Sequence, residues 1–173
     1  MMLNDVLETE RMMLRAFTLD DVEAMFVLGS DPDIIRYTGN TPYQSVAEAR
    51  TYLIEGPLRD YELYGYDRFA CVLKESDKVI GFSGIKYLTE IDENELGYRF
   101  LPQYWGLGLA KEAARAVIPY ARDRLTMSRL VSLIHPGNVG SKNVVAKLGF
   151  LFEKDVCFSL VQDANMELFS VTI

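Results

Sequence analysis

Stretches in which apolar and polar residues alternate follow stretches with apolar residues at helical spacing, which predicts a chain that mixes strands and helices. The elements predicted for the first part are a strand at Leu7–Ala16, a helix from Asp20 or Asp21 through Leu28, and a helix from Ser45 to about Gly56-Pro57. Ser45 and Glu48 have the spacing of a capping box, in which each side chain binds a backbone N–H at the helix start. Pro57 should end this helix because proline has no N–H to donate.

The remaining pattern predicts mostly strands. The predicted elements are strands at Arg68–Leu73, Lys78–Ile85 and Asn94–Leu101, a helix from Gly108 to about Leu125, a strand at Leu130–Ile134, a helix at Ser141–Leu148, and strands at Leu151–Val161 and Met166–Ile173 joined by Gln162–Asn165. This order predicts an α/β (α+β) fold in which helices flank one mixed sheet. A length of 173 residues fits a single domain spanning residues 1–173.

The net charge of −7 argues against a nucleic-acid-binding protein, which normally needs a basic face. Bases nevertheless outnumber acids between Gly106 and Phe150, as expected if an anionic ligand binds there. No apolar run is long enough to cross a membrane, and the N-terminal residues lack the pattern of a signal peptide, so a cytoplasmic protein is expected.

The cysteine and histidine content argues against a metal site. Cys71 and Cys157 form no Cys-x-x-Cys pair, and His135 is the single histidine. Both cysteines lie in strand-like segments, where we expect buried, reduced thiols. His135 precedes a proline at a strand end, where a partly buried polar role is more common than catalysis.

A glycine-rich segment, Pro102–Ala110, joins a predicted strand to a predicted helix. Unpaired N–H groups at a helix start attract anions, and glycine lets the backbone approach phosphate oxygens closely. Gly106 and Gly108 therefore indicate a diphosphate site. The segment lacks the Gly-Lys-Ser/Thr of a P-loop and the third glycine of a dinucleotide fingerprint. Taken alone, it fits a tight strand-to-helix turn equally well.

A second segment, His135–Phe150, follows an apolar strand and ends in Lys-Leu-Gly-Phe. The chain has Gln-x-x-Gly-x-Gly at a helix start, followed by a strand, Asn-x-x-Ser, a helix and Lys-Leu-Gly-Phe. This pattern resembles the GNAT superfamily of acyl-CoA N-acyltransferases. Leu7–Arg15 and Gly97-Tyr98 look like its ribosomal-protein-alanine (Rim-type) branch. The resemblance covers nearly the whole chain and implies a mostly antiparallel sheet that is splayed in the middle.

The resemblance implies acetyl-CoA as co-substrate and no metal. The residues it assigns to cofactor binding are Gln103, Gly106, Leu107, Gly108, Leu109, Ala110, Asn138, Ser141 and Lys142. The backbone N–H groups of Leu107 through Ala110 would bind the pyrophosphate. Lys142 and Lys147 would meet phosphates, although a solvated helix face is the more common explanation for such lysines.

Two residues are implied for catalysis. Glu95 matches an acidic position of the family and would remove a proton from the attacking amine, through water; an exposed strand glutamate is the alternative. Ser141 matches a serine near the thioester sulfur. Many family members carry a tyrosine acid where this chain has Val145, so we expect Ser141 or solvent to serve the leaving thiolate.

The acceptor implied by the resemblance is a primary amine, such as a ribosomal or other protein N-terminus or a small molecule, bound by a monomer or a homodimer. The side chains expected to line its pocket are Tyr37, Thr38, Tyr43, Tyr66 and Phe69. Neither nucleic acid nor membrane is an expected partner. Two other functions stay open: a non-catalytic acyl-CoA-binding sensor or recruitment module, and a nucleotide-phosphate binder.

Overall fold

An eight-stranded sheet forms the centre of the structure, a computed structural model that describes residues 5–159, 161 and 165–173. The strands are β1 (Leu7–Glu8), β2 (Met12–Ala16), β3 (Arg68–Leu73), β4 (Lys78–Leu88), β5 (Glu93–Phe100), β6 (Arg129–Ile134), β7 (Leu151–Val156) and β8 (Met166–Thr172). They lie in the order β1-β2-β3-β4-β5-β6-β8-β7, and only β5 and β6 are parallel neighbours. The predicted mixed, mostly antiparallel sheet is confirmed.

Helices cover both faces of this sheet. They are α1 (Val22–Ser30), α2 (Pro32–Ile35), α3 (Val46–Leu53), α4 (Arg59–Tyr64), α5 (Leu109–Asp123) and α6 (Val139–Lys147). Successive strand residues point to opposite faces, so Phe82 packs with α1 and α3 while Ile85 packs with α5. No helix in the described ranges has the length and apolarity needed to cross a membrane.

The N-terminal segment forms two strands, so the single predicted strand Leu7–Ala16 is wrong. β1 and β2 pair in antiparallel fashion, with Leu7 opposite Leu14. The Thr9 hydroxyl accepts a hydrogen bond from Met12 N at 2.9 Å, and Thr9 N donates to Met12 O. These bonds close the turn between the two strands.

The helix that begins after Ser45 departs from its prediction in two ways. Ser45 Oγ accepts from Glu48 N, but the Glu48 carboxylate accepts from Gln44 N at 3.0 Å, so the capping box is only half formed. The helix also fails to stop at Gly56-Pro57. A wide turn at Ile54–Leu58, with non-helical dihedral angles at Gly56, leads directly into α4. Glycine tolerates that backbone conformation, and burial of α4 against the sheet favours continuing.

Near the C-terminus, β7 ends at Val156, earlier than the predicted Val161. Most of the predicted turn Gln162–Asn165 lies outside the described residues. Cys71 is buried as expected, whereas the prediction of a buried Cys157 is wrong because its side chain is exposed. β7 is an edge strand, and the chain leaves the sheet just after it, so Cys157 has little protein around it.

Candidate active site

The parallel strands β5 and β6 pair at one position, Glu95 opposite Val131. Beyond it, side chains bridge the widening gap: Ser132 Oγ donates to Leu96 O at 3.0 Å, and Leu133 N makes a long hydrogen bond of 3.4 Å to Glu95 Oε1. Backbone groups along separated strand edges can pair with an extended ligand as another strand would. The expected splay in the middle of the sheet is therefore present.

This gap opens into a cleft of about 1100 Å³. The residues that line it include Gly106, Gly108, Ala110, Asn138, Ser141 and Lys147, together with Tyr37, Tyr52, Arg68, Glu95, Arg99 and His135. This volume exceeds that of most pockets for a single drug-sized ligand. The cleft is therefore larger than one small ligand needs.

The glycine-rich segment begins α5 with a left-handed backbone. Gly106 has a φ of 74° and Gly108, the residue that caps α5, has a φ of 80°. A Cβ on Gly106 would meet nothing within 4 Å, so backbone conformation, and not crowding within the protein, requires glycine there. The first N–H groups of α5 have no intrahelical partners, and the helix dipole adds a positive field. This end of the cleft thus suits an anion.

The turn between β1 and β2 anchors this segment. Arg11 Nη1 donates to Leu107 O at 3.0 Å, and Arg11 Nε donates to Glu112 Oε2 at 2.7 Å. Thr9 Oγ1 donates to the other Glu112 oxygen, also at 2.7 Å. No local pattern predicts these contacts, because Arg11 and Glu112 are 101 residues apart in the chain.

On the α6 side, two neighbours fix the position of Ser141. The side-chain oxygen of Asn138 accepts from Ser141 N at 3.1 Å and so caps α6. The Tyr98 hydroxyl donates to Ser141 O at 3.1 Å. Burial raises the pKa of the Tyr98 phenol, which keeps it protonated and able to donate. Asn138, Ser141 and Tyr98 all line the cleft, and Tyr98 is a site residue that sequence reasoning missed.

Val145, the position of the family tyrosine, is fully buried in the core that contains Phe150. Its neighbour Val144 lines the cleft. A tyrosine at 145 would have to enter closely packed core, which is costly. The departure from the family pattern therefore agrees with the local packing.

Glu95 lies where β5 and β6 part, and its side chain is 13 % exposed. Arg68 Nη2 donates to Glu95 Oε2 at 2.8 Å. The arginine reaches the carboxylate by crossing Gly97, where an added Cβ would lie only 2.9 Å from Arg68 Nε and Nη2. Gly97 thus leaves room for the Arg68 guanidinium in this position, and the ion pair holds the Glu95 carboxylate at the edge of the cleft.

Three side chains expected at the cofactor lie apart from the cleft lining. Gln103 and Leu107 are exposed outside it, although Leu107 keeps its backbone N–H in the glycine-rich segment. Lys142 forms an ion pair with Glu167 at 3.0 Å. Lys147, by contrast, does line the cleft.

Only some of the residues expected at the acceptor line the cleft. Tyr37 and Thr38 line the cleft, and the ring of Tyr37 lies 5.1 Å from that of His135. Tyr43 packs over Gly29 and borders a separate cavity of about 600 Å³. Phe69 is 1 % exposed and packs edge-on against Tyr120 in the core, so it does not face a ligand. A β-strand pattern does not distinguish a core aromatic residue from one that lines a pocket.

Lys86, on the cleft wall, neutralises two buried carboxylates. Its Nζ lies 2.7 Å from Asp60 Oδ2 and 3.2 Å from Asp67 Oδ2, and the Asp67 side chain is 1 % exposed. Burial raises the pKa of the Asp67 carboxyl even though Lys86 and Arg68 oppose that shift. Removing the lysine would leave a buried charge without its main partner.

We expect Lys86→Met to lower the free energy of unfolding by about 3–5 kcal/mol at pH 7, measured by denaturant titration. Because a raised folded-state pKa favours the protonated form, the loss should shrink as the pH falls toward the pKa of free aspartate, about 3.9. The control is Lys78→Met, an exposed lysine on the same strand, which should change stability by less than about 0.5 kcal/mol. Equal losses for both variants would contradict the role of Lys86.

In residues 5–159, 161 and 165–173, no group of three histidine, cysteine or acidic side chains is placed to hold a metal ion.

The chain is similar to known proteins over most of its length. The protein-family model described as an acetyltransferase (GNAT) domain matches residues 11–151. The chain is 32 % identical over 148 residues to the "Uncharacterized N-acetyltransferase p20" of Bacillus licheniformis, covering 84 % of this chain and 82 % of the relative.

Solved structures agree with this match. An acetyltransferase from Agrobacterium tumefaciens superposes with a TM-score of 0.82 at 25 % identity, covering 96 % of this chain and 94 % of its own. An acetyltransferase of the GNAT family from Bacillus anthracis superposes with a TM-score of 0.81 at 23 % identity, covering 97 % and 98 %. From its splayed sheet, its glycine-rich helix start and these matches, the chain belongs to the GNAT acetyltransferase family.

Proposed function

We propose that this chain transfers the acetyl group of acetyl-CoA to a primary amine by direct attack in a ternary complex. The observation that carries the proposal is the parting of β5 and β6 beside a helix start with two left-handed glycines. The first suits an extended pantetheine arm and the second a pyrophosphate. We further propose that residues 1–173 form one domain, because β8, beyond the matched region, pairs with β6.

The proposed roles follow from what amide formation needs. The N–H groups of Leu107 through Ala110 bind the pyrophosphate, and Asn138 and Ser141 lie beside the reacting end of the cofactor. Glu95 accepts the proton that an ammonium group must lose before it attacks, through water. The Ser141 hydroxyl donates a hydrogen bond to the leaving thiolate, and the thiolate takes up the second proton that the nitrogen loses as the amide forms. A thiol is acidic enough, with cysteine near pKa 8.5 as a guide, to leave without a strong acid.

For the acceptor we propose a protein or peptide N-terminal amine, by resemblance to the Rim-type branch. Two proteins of the same fold support a primary amine without choosing its class. One is the ribosomal-protein-S5-alanine acetyltransferase of Vibrio fischeri, with a TM-score of 0.75 and 20 % identity over 98 % of this chain and 97 % of its own. The other is the spermidine N-acetyltransferase of Vibrio cholerae, solved with CoA and spermine, with a TM-score of 0.73 and 18 % identity over 94 % and 95 %.

The test is a thiol-release assay with acetyl-CoA against N-terminal peptides, polyamines, amino sugars and amino acids. We expect at least one amine to accelerate release, with mass spectrometry showing one acetyl group added to that amine. The alternative, a non-catalytic sensor, is favoured by the buried Val145 in place of a tyrosine. Tight acetyl-CoA binding with no acceleration by any amine would support that sensor and contradict the transferase.

A further inference from the structure

Three cationic side chains lie on one face of the sheet, the face of Phe82 that packs with α1 and α3. In the strand register, Arg99 of β5 is opposite Phe82 of β4, and Arg68 of β3 is opposite Gly84. Lys86 is opposite Glu95 on the same face. All three cations line the cleft. Their partners within the protein therefore decide which of them can bind a ligand.

Two of these cations are neutralised by the protein. Arg68 pairs with Glu95, and Lys86 pairs with Asp60 and Asp67. Arg99 differs: within the described part of the chain, no carboxylate oxygen lies within 4.0 Å of its guanidinium, and its side chain donates no hydrogen bond. Arg99 is thus a free cation facing the cleft.

The surroundings of Arg99 stabilise its charge only in part, through contact with an aromatic ring. Its guanidinium carbon lies 5.2 Å from the centroid of the Phe82 ring, and that of Arg68 lies 5.4 Å from the same ring. Burial lowers the pKa of Arg99, and the nearby positive charge of Arg68 lowers it further, against the opposing effect of Tyr52. A partly buried cation beside a like charge is normally paired. An anion arriving through the cleft would supply the missing partner.

These contacts also fix the order of groups along the cleft wall. The Glu95 carboxylate contacts Arg68, Arg68 contacts the Phe82 ring, and the ring contacts Arg99. An anion at Arg99 is therefore separated from an amine at Glu95 by a guanidinium and an aromatic ring. Along the strand, the Cα atoms of residues 95 and 99 are four residues, or roughly 13 Å, apart. An elongated molecule with its amine and its anion at different ends fits this arrangement.

We infer that Arg99 binds a carboxylate of the acceptor, remote from the reacting amine, so that the preferred acceptor is a short acidic peptide and not a polyamine. This inference rests on the proposed acetyl transfer. A carboxylate gains charge-assisted hydrogen bonds from the guanidinium. A second ammonium group placed there would instead be repelled by the unpaired charge of Arg99.

The experiment compares peptides that begin with alanine and carry glutamate at the second, third or fourth position with the matching glutamine peptides. We expect the wild-type protein to favour one glutamate peptide by about ten- to a hundredfold in kcat/KM, the range of a hydrogen bond to a charged group. Arg99→Gln should lower kcat/KM for that peptide to the level of its glutamine match. The Kd of acetyl-CoA should stay unchanged, and the kcat/KM of the glutamine peptide should fall much less than that of the glutamate peptide.

Arg115→Gln, an exposed arginine of α5 outside the cleft, is the matched control and should behave like the wild type. Equal losses on both peptides, weaker acetyl-CoA binding in Arg99→Gln, or a preference for spermidine over every peptide would each overturn the inference. If no amine releases thiol, the proposed transfer fails. The proposed site at Arg99 is then tested separately, by calorimetric titration of the CoA-loaded protein with the glutamate peptide and its glutamine match. Tighter binding of the glutamate peptide that is lost in Arg99→Gln supports the site. Equal binding of the two peptides to the wild-type protein overturns it.

Discussion

Replacing Gly108 with tryptophan is expected to weaken CoA binding by about a hundredfold or more. Gly108 has a φ of 80°, a conformation that costs other residues about 1–2 kcal/mol. Its missing side chain also leaves open the approach to the N–H groups of Leu109 and Ala110, the proposed pyrophosphate site. Loss of two hydrogen bonds to a charged group, each about 1.5–3 kcal/mol, corresponds to at least this decrease in affinity. The measurement is a calorimetric titration with CoA.

Gly149 provides a matched control for the strain itself. It also has a left-handed backbone, with a φ of 88°, and a Cβ there would meet nothing within 4 Å. It lies at the end of α6 and does not line the cleft. Gly149→Trp should therefore lower thermal stability about as much as Gly108→Trp while CoA affinity stays at the wild-type value. Undiminished CoA affinity in Gly108→Trp would contradict the proposed pyrophosphate site.

Replacing Glu95 with glutamine is expected to lower kcat by about 10²–10⁴ at neutral pH, the usual contribution of a general base, without changing the Kd of acetyl-CoA. Glutamine keeps an oxygen that can accept from Arg68, so the local structure should persist. The decrease should become smaller as the pH rises past the pKa of the acceptor amine, about 7.7–8.0 for a peptide N-terminus. Above that pH the amine is already neutral and needs no base. Steady-state kinetics from pH 6 to pH 10 measure this.

Glu93→Gln serves as the control for Glu95→Gln. Glu93 lies two residues earlier on β5, binds Arg129 at 3.1 Å and does not line the cleft. Its replacement should leave kcat unchanged across the pH range. A pH–rate profile of Glu95→Gln that parallels the wild type at every pH would show that water or another group takes the proton.

Local patterns predicted the elements whose signals lie within a few residues. The β3–β4 hairpin and the helix start at Gly108 both appear near their predicted places, since alternation and glycine placement act locally. The wide turn at Gly56 could not be predicted, because burial of Asp60 and Tyr61 in α4 outweighs the local stop signal. The helix therefore continues where its own sequence favours an end.

The residues of the candidate site also fall into two groups, those that a local pattern can identify and those that it cannot. The roles of Gly106, Gly108 and Asn138 depend on local backbone geometry at a helix start, so a sequence motif can identify these residues. Arg11 and Glu112 meet across 101 residues of chain, and Arg68 and Arg99 acquire their different surroundings only from the sheet register. Strand alternation reveals which residues share a face. It does not reveal which face the cleft uses, which explains why Phe69 was expected at the acceptor.

The close approach of Arg68 to Gly97 has a consequence for how this protein can change. A side chain at residue 97 and an arginine crossing it at residue 68 exclude each other, because even one added carbon would lie 2.9 Å from the guanidinium. The two positions are therefore coupled: a larger residue at 97 requires an exchange in which the Arg68 guanidinium moves away or residue 68 becomes shorter. That exchange would also release Glu95 from its ion pair. Any evolutionary route that enlarges residue 97 thus alters the environment of the proposed base in the same step.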